Sequence, residues 1–234
     1  NVKSKQTLEF KTIICYSMRI AFGVFLMKFS NKFILGTKVN MTQIFDDKGL
    51  VHPVTVLKAG PLTVMSVKTV KSDGYNAVQV GFGARAEKNI NKAQKGQMGA
   101  GNYMYLREFR TEDEPTFVVG DTIDLSTFSS GDKVTVSSIS KGKGFEGVVK
   151  RHGFGGSPRS HGQKNKERAP GSIGGGGRDG GRVAKNKRMA GRMGGDRITS
   201  KGLTIVSVKP ETGEIFIRGA VAGRRGTLVE VRAK

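Results

Sequence analysis

Sixteen of the chain's forty Lys and Arg residues fall between Ser140 and Gly202, together with eighteen of its thirty-four glycines. Side chains of these two types can do one kind of chemistry well. Arginine presents a planar fork of N–H donors that pairs bidentately with phosphate, and lysine supplies a compact point charge. Interleaved glycine lets the backbone pass close to whatever the charges bind. The candidate contacts are Lys141, Lys143, Lys150, Arg151, Arg159, His161, Lys164, Arg168, Arg178, Arg182, Lys185, Lys187, Arg188, Arg192 and Arg197. Only Glu146, Glu167, Asp179 and Asp196 oppose them, leaving a local charge of +12 out of a total of +21. Ordering one residue's backbone costs about 1–2 kcal/mol, and this stretch has almost no apolar side chains to offset that cost. A polyanion must supply the ordering energy, and RNA phosphate fits.

Other chemistries find less support. Gly142-Lys143-Gly144-Phe145-Glu146-Gly147 matches G-x-G-x-x-G. A dinucleotide site would also need a parallel βαβ unit and an acidic residue about 20 positions later, where this chain is basic and glycine-rich. The bland reading is a strand-to-arm turn. The kinase elements H-R-D and D-F-G, the phosphate loop G-x-x-x-x-G-K-S/T, the G-x-S-x-G elbow and H-E-x-x-H are absent from the sequence. Glu112-Asp113-Glu114 before Pro115 looks like a solvated turn, and no catalytic residue is assigned. Cys15 is the only cysteine, and His52, His152 and His161 are scattered, so neither a thiolate cluster nor another metal site is expected. No cofactor, small-molecule substrate or membrane partner is called for. A membrane binder would set its bases on an amphipathic helix opposite apolar residues.

The apolar residues lie mostly outside this stretch. Short runs rich in Val, Ile, Thr and Phe recur at residues 33–39, 51–58, 62–70, 77–82, 116–119, 133–139, 203–208, 215–221 and 228–231. Turn signals such as Asp47-Lys48-Gly49, Gly60-Pro61, Ser72-Asp73-Gly74 and Ser130-Gly131-Asp132 separate them. The expected fold is mainly β: a closed or partly open barrel formed by residues 28–139 and 203–234, with a helical or loop insertion at 84–111. The basic stretch, 140–202, is expected as a long internal arm anchored at both ends in the barrel and ordered by RNA. Residues 1–27 have another character and are expected to be an extension upstream of the true start, with Met18 or Met27 as initiator. A targeting segment would be Arg-rich and acid-poor, whereas this one holds only Arg19 and carries Glu9.

Within the arm, Pro170-Gly171-Ser172-Ile173-Gly174 and Met189-Ala190-Gly191-Arg192-Met193-Gly194 set isolated apolar residues among glycines and bases, as suits side chains wedged among nucleotides. Phe145 and Phe154 are its only aromatics, too few for a stacking platform, so folded RNA read by shape and phosphate is the better match.

These segments resemble the L3 family of large ribosomal subunit proteins in its bacterial form. The likeness runs from about Lys28 to the C-terminus. It includes Ile34–Phe45, Ser140–Arg151, His161-Gly162, Pro170–Gly174, Lys187–Gly194 and the closing Gly219–Gly223. The resemblance implies a structural protein without enzymatic activity. Its barrel body would lie at the subunit surface, and its arm would thread through 23S-type rRNA toward the peptidyl transferase region. Ile173, Gly174, Gly175, Gly176 and Gly177 would lie at the arm's tip. It implies early binding that nucleates subunit assembly, the ribosomal proteins numbered fourteen and nineteen as neighbours, and a cytoplasmic or organellar ribosome as the location. Gly175 stands where some bacterial members carry a methylated Gln, so that modification is expected to be absent. Thr135 stands near a position where the family commonly has an acidic residue. The alternative to a ribosomal constituent is a non-ribosomal RNA-binding assembly factor on a similar barrel.

Overall fold

The computed structural model describes residues 32–99, 101–175 and 180–233. The extension at 1–27, along with Gly176, Gly177 and Arg178 of the arm, lies outside the described residues. In chain order the strands are β1 (Phe33–Phe45), β2 (Val51–Ala59), β3 (Leu62–Lys68), β4 (Ala77–Ala84), β5 (Tyr103–Arg110), β6 (Thr122–Ile123) and β7 (Lys133–Ile139). They continue with β8 (Phe145–Glu146), β9 (Gly191–Arg192), β10 (Arg197–Lys209), β11 (Glu214–Arg218) and β12 (Leu228–Ala233).

Six of them close into a barrel in the order β1-β12-β7-β10-β11-β2, and a second sheet runs β5-β4-β3-β6. Register follows from which residues must be buried. Ile34 faces Val231, Leu57 faces Ile215, and Val136 also pairs with Val231, all of them buried. Thr135 sits opposite Arg232. A bulge between Lys38 and Asn40 interrupts the β1–β2 ladder. Beyond it both strands continue to the turn at Asp46–Gly49, where Gly49 donates to Asp46 O at 2.8 Å.

One apolar core serves both sheets, joining Ile34, Leu57, Ile205 and Val231 of the barrel to Leu62, Val78 and Phe109 of the second sheet. Phe109 is its largest fully buried side chain. Its ring stacks on Phe33 at 4.2 Å between centroids, with the Arg232 guanidinium 4.8 Å from its centre. Phe109→Ala should therefore cost the body about 3–5 kcal/mol, read as a lowered denaturation midpoint. An unchanged midpoint would remove Phe109 from the core.

Two expectations are corrected here. Residues 84–111 are not only helix and loop: after a 3-10 turn at Glu87–Asn89 and a helix at Lys92–Met98, the chain forms the full strand β5. Its alternation sends Phe109 inward while Met104 stays exposed. Residues 116–119 are not a strand. Val118 N–H donates to Asp121 Oδ2 at 2.7 Å and Gly120 N–H to Val64 O at 2.9 Å, so the segment turns, and the short β6 follows it.

On the second sheet, Lys68 donates to Glu108 at 2.7 Å and to the Tyr75 hydroxyl at 2.8 Å, while Arg110 lies over the Tyr75 ring. The hydrogen bond from Lys68 holds the Glu108 carboxyl below its ordinary value of 4.5. A depressed carboxyl stabilises the fold above that ordinary value, and the contribution fades as pH falls through the lowered folded value. Lys68→Met should return the Glu108 titration upward toward 4.5, as followed by carboxyl NMR; an unmoved midpoint would contradict the pairing.

Candidate nucleic-acid interface

The described residues divide into two compact units, one running to Ser138 and resuming at Ile198, the other being Ile139–Arg197. The second unit contains most of the basic stretch; the expected arm end at 202 is corrected, because residues 198–202 belong to β10 and to the first unit. Among the second unit's described residues only Val148 is buried. Without a core, its shape rests on backbone hydrogen bonds and a few side-chain clips.

The two limbs of the arm are joined at the root. Ser140 N–H donates to Asp196 O at 2.9 Å, and across the limbs Lys143 N–H donates to Met193 O and Met193 N–H to Gly144 O, both at 2.9 Å. β8 and β9 continue this antiparallel pairing, with Phe145 opposite Arg192. The G-x-G-x-x-G run is thus part of a ribbon, and every strand pairing recorded in the described residues is antiparallel, which leaves no βαβ unit for a dinucleotide. Gly194 holds the limbs close: its φ is +74, and a Cβ there would fall 2.1 Å from the Lys141 carbonyl oxygen.

A helix at Val148–His152 follows the ribbon, ended by Gly153 in the left-handed conformation, whose N–H meets Val148 O and Val149 O. Its last turn reads Lys150, Arg151, His152, cations at the end that favours them. Arg151 Nη1 donates to Met189 O at 2.7 Å, and His152 Nε2 lies 3.1 Å from the same oxygen. This clip ties the helix to the returning limb. Lys150 pairs with Glu146 at 2.5 Å. Further out, Ser157 N–H donates to Glu167 O at 2.8 Å and Arg159 pairs with the Glu167 carboxylate at 2.5 Å, closing a loop that contains His161 at φ 57. Near the tip, Ser172 Oγ donates to Gly174 O at 3.0 Å, and the backbone at Gly174 passes close to Arg182 O.

All the described candidate bases are exposed. They fall into two groups. Lys150, Arg151 and Arg159 already have partners inside the arm. Lys141, Lys143, Lys164, Arg168, Arg182, Lys185, Lys187, Arg188 and Arg192 have no ion-pair partner among the described residues. Arg197 opens β10, and Ile173, Gly174 and Gly175 are exposed toward the tip. This second group leaves nine solvated cations on a glycine-rich support, a set that suits contact with phosphate.

Sequence reasoning missed the clip on Met189 and the left-handed Asn186 (φ 65) between Lys185 and Lys187. The first had a signal, since Lys-Arg-His before a glycine reads as a helix C-terminus. The second had none. No group of three or more His, Cys, Asp or Glu side chains among the described residues could hold a metal ion.

Comparison with known proteins points the same way. A model of the family described as Ribosomal protein L3 matches residues 116–214, spanning the arm and the strands on either side of it. The large ribosomal subunit protein uL3 of Acidothermus cellulolyticus is 48% identical over 204 residues, covering 86% of this chain and 91% of that protein. Those of Herpetosiphon aurantiacus and Prochlorococcus marinus are 47% and 45% identical over 200 and 202 residues, covering 85% of this chain and 94% and 92% of theirs. Agreement at that level across body and arm alike means that this chain belongs to the ribosomal protein L3 family.

Proposed function

We infer that this chain is a structural constituent of the large ribosomal subunit, binding its rRNA and carrying no enzymatic activity. The observation that carries the reading is the arm: among its described residues nine exposed candidate bases without an ion-pair partner stand on a support with one buried residue, inside a chain nearly half identical to uL3 proteins along most of its length. A non-ribosomal assembly factor is not favoured by these relatives.

Residues 32–138 and 198–233 belong to the body, and 139–197 form an rRNA-penetrating arm whose tip, around Ile173, Gly174 and Gly175, supports the peptidyl transferase region. The contacts are made by Lys141, Lys143, His161, Lys164, Arg168, Arg178, Arg182, Lys185, Lys187, Arg188, Arg192 and Arg197. Lys150, Arg151 and Arg159 join them once RNA competes for their internal partners. Early binding nucleates assembly, with the proteins numbered fourteen and nineteen as neighbours, in a cytoplasmic or organellar ribosome. Arginine and lysine suit this role because each neutralised phosphate releases counterions.

The test is equilibrium binding of the full chain to transcribed large-subunit rRNA. If six to ten phosphates are neutralised, affinity should fall by about 10³–10⁵ between 50 and 200 mM salt, by the duplex rule. A flat salt response, or equal affinity for an unrelated folded RNA, would contradict the reading.

A further inference from the structure

The loop between β11 and β12 is held far more firmly than a surface connection requires. Thr55, fully buried, donates its hydroxyl to Gly219 O at 2.6 Å. Ser138, 5% exposed, donates to Ala222 O at 2.9 Å. Lys38 carries its ammonium into the loop, donating to Val221 O at 2.6 Å and Gly223 O at 3.2 Å. Backbone bonds complete the frame: Gly219 N–H to Pro53 O, Gly226 N–H to Lys38 O and Lys38 N–H to Thr227 O, at 2.7–3.0 Å. Val221 is buried beneath it.

Three polar side chains from β1, β2 and β7 thus fix one short loop. At its apex, Arg224 and Arg225 are exposed, and neither guanidinium has a partner among the described residues. The turn that carries them is closed by Arg224 N–H to Thr227 Oγ1 at 3.0 Å and Thr227 N–H to Arg224 O at 3.2 Å. Burying the Thr55 and Ser138 hydroxyls and partly burying the Lys38 ammonium is costly unless each is hydrogen-bonded, and here each has a bond aimed at the loop. The result is a pair of arginines on a support whose ordering entropy is already met by folding, the condition that lets a contact act at full strength.

We propose that Arg224 and Arg225 form a second RNA-phosphate contact, located on the body and independent of the arm. The ligand is the RNA backbone. Forked guanidinium donors match phosphate, whereas a protein partner would be expected to use an apolar or aromatic anchor at the centre of its contact. The apex, Arg224-Arg225-Gly226, offers none. The inference rests on the rRNA-binding reading above and extends it to residues outside the arm.

The test measures full-chain binding to transcribed large-subunit rRNA over a salt series, comparing wild type, Arg224→Gln with Arg225→Gln, and an arm variant in which Lys187, Arg188 and Arg192 become Ala. A further variant, Lys38→Met, releases the loop and leaves both arginines present. The double Gln variant should bind about tenfold or more weakly, with the slope of log affinity against log salt shallower by about 1–2. Lys38→Met should fall part of the way. Wild-type affinity and slope in the double variant, beside a weakened arm variant, would overturn the proposal and leave the rRNA-binding reading intact. Unchanged RNA binding with failed entry into subunits would also overturn it, assigning the loop to a protein neighbour. Salt-independent binding by wild type would overturn both.

Discussion

A chain in which Lys187, Arg188 and Arg192 are all replaced by Ala should fold its body normally and fail to enter stable large subunits. The three side chains are exposed and make no ion pair among the described residues, so the folded state loses little when they go. Surface changes of that kind usually move stability by no more than about 0.5 kcal/mol. Their loss from an RNA contact is another matter. A hydrogen bond to a charged group contributes about 1.5–3 kcal/mol, so three phosphate contacts correspond to roughly 10³-fold in affinity or more. Circular dichroism and a denaturation midpoint would report the body, and the variant's share of sedimented subunits would report incorporation. Normal incorporation of a folded triple variant would contradict the role given to the arm.

Gly194→Ala should act by a different route, through geometry with charge unchanged. The residue sits at φ +74, where an L side chain is strained by about 1–2 kcal/mol. The larger problem is the Lys141 carbonyl oxygen 2.1 Å from the new Cβ, with Gly142 Cα at 3.1 Å. Both obstacles are backbone, so the limbs must part. The bonds joining Lys143, Gly144 and Met193 lie next to this contact and should open with it. Hydrogen exchange of the free protein should show lost protection at the Lys143 and Met193 amides. Core amides such as Leu57 and Ile215 should keep theirs. Subunit incorporation should fall although every base is still present. Protection unchanged from wild type would mean that the root is not held by this close approach.

The barrel was legible because its strands obey simple rules. Residues 133–137 alternate polar and apolar, and β7 buries Val134 and Val136 while Thr135 and Ser137 are less buried; the pattern breaks at the end, where Ser138 is buried and Ile139 exposed. The turns at Gly49, Gly74 and Gly213 stand where glycine and its polar neighbours put them, each with positive φ. Strand β5 was missed because its Arg and Glu residues hide the alternation that buries Phe109, and lysines before it suggested a polar insertion. Residues 116–119 misled in the opposite sense: Phe117, Val118 and Val119 read as a strand, but Asp121 captures the Val118 amide and turns the chain. The same rule explains both, since β propensity reports fit to a half-buried surface and not an intrinsic choice of the backbone.

For the arm, composition pointed to a class of ligand and gave nothing of the arrangement. The bases could be named from the sequence, but not their division into those paired within the protein and those left to solvent. That division depends on approaches across long separations, such as Arg151 to Met189 and Arg159 to Glu167, which local patterning does not encode. The positions of Arg224 and Arg225 became informative only once Lys38, Thr55 and Ser138 were seen to converge on their loop.

The most direct measurement is sedimentation of a lysate containing the chain through sucrose gradients at moderate and at roughly half-molar salt, with the chain followed by mass spectrometry. Contacts buried within folded rRNA are screened far less than surface charge at the short Debye lengths of high salt. Near-stoichiometric presence in mature large subunits under both conditions is the predicted result. Presence in precursor particles alone would instead identify an assembly factor, and absence from ribosomal particles at both salts would contradict the ribosomal assignment.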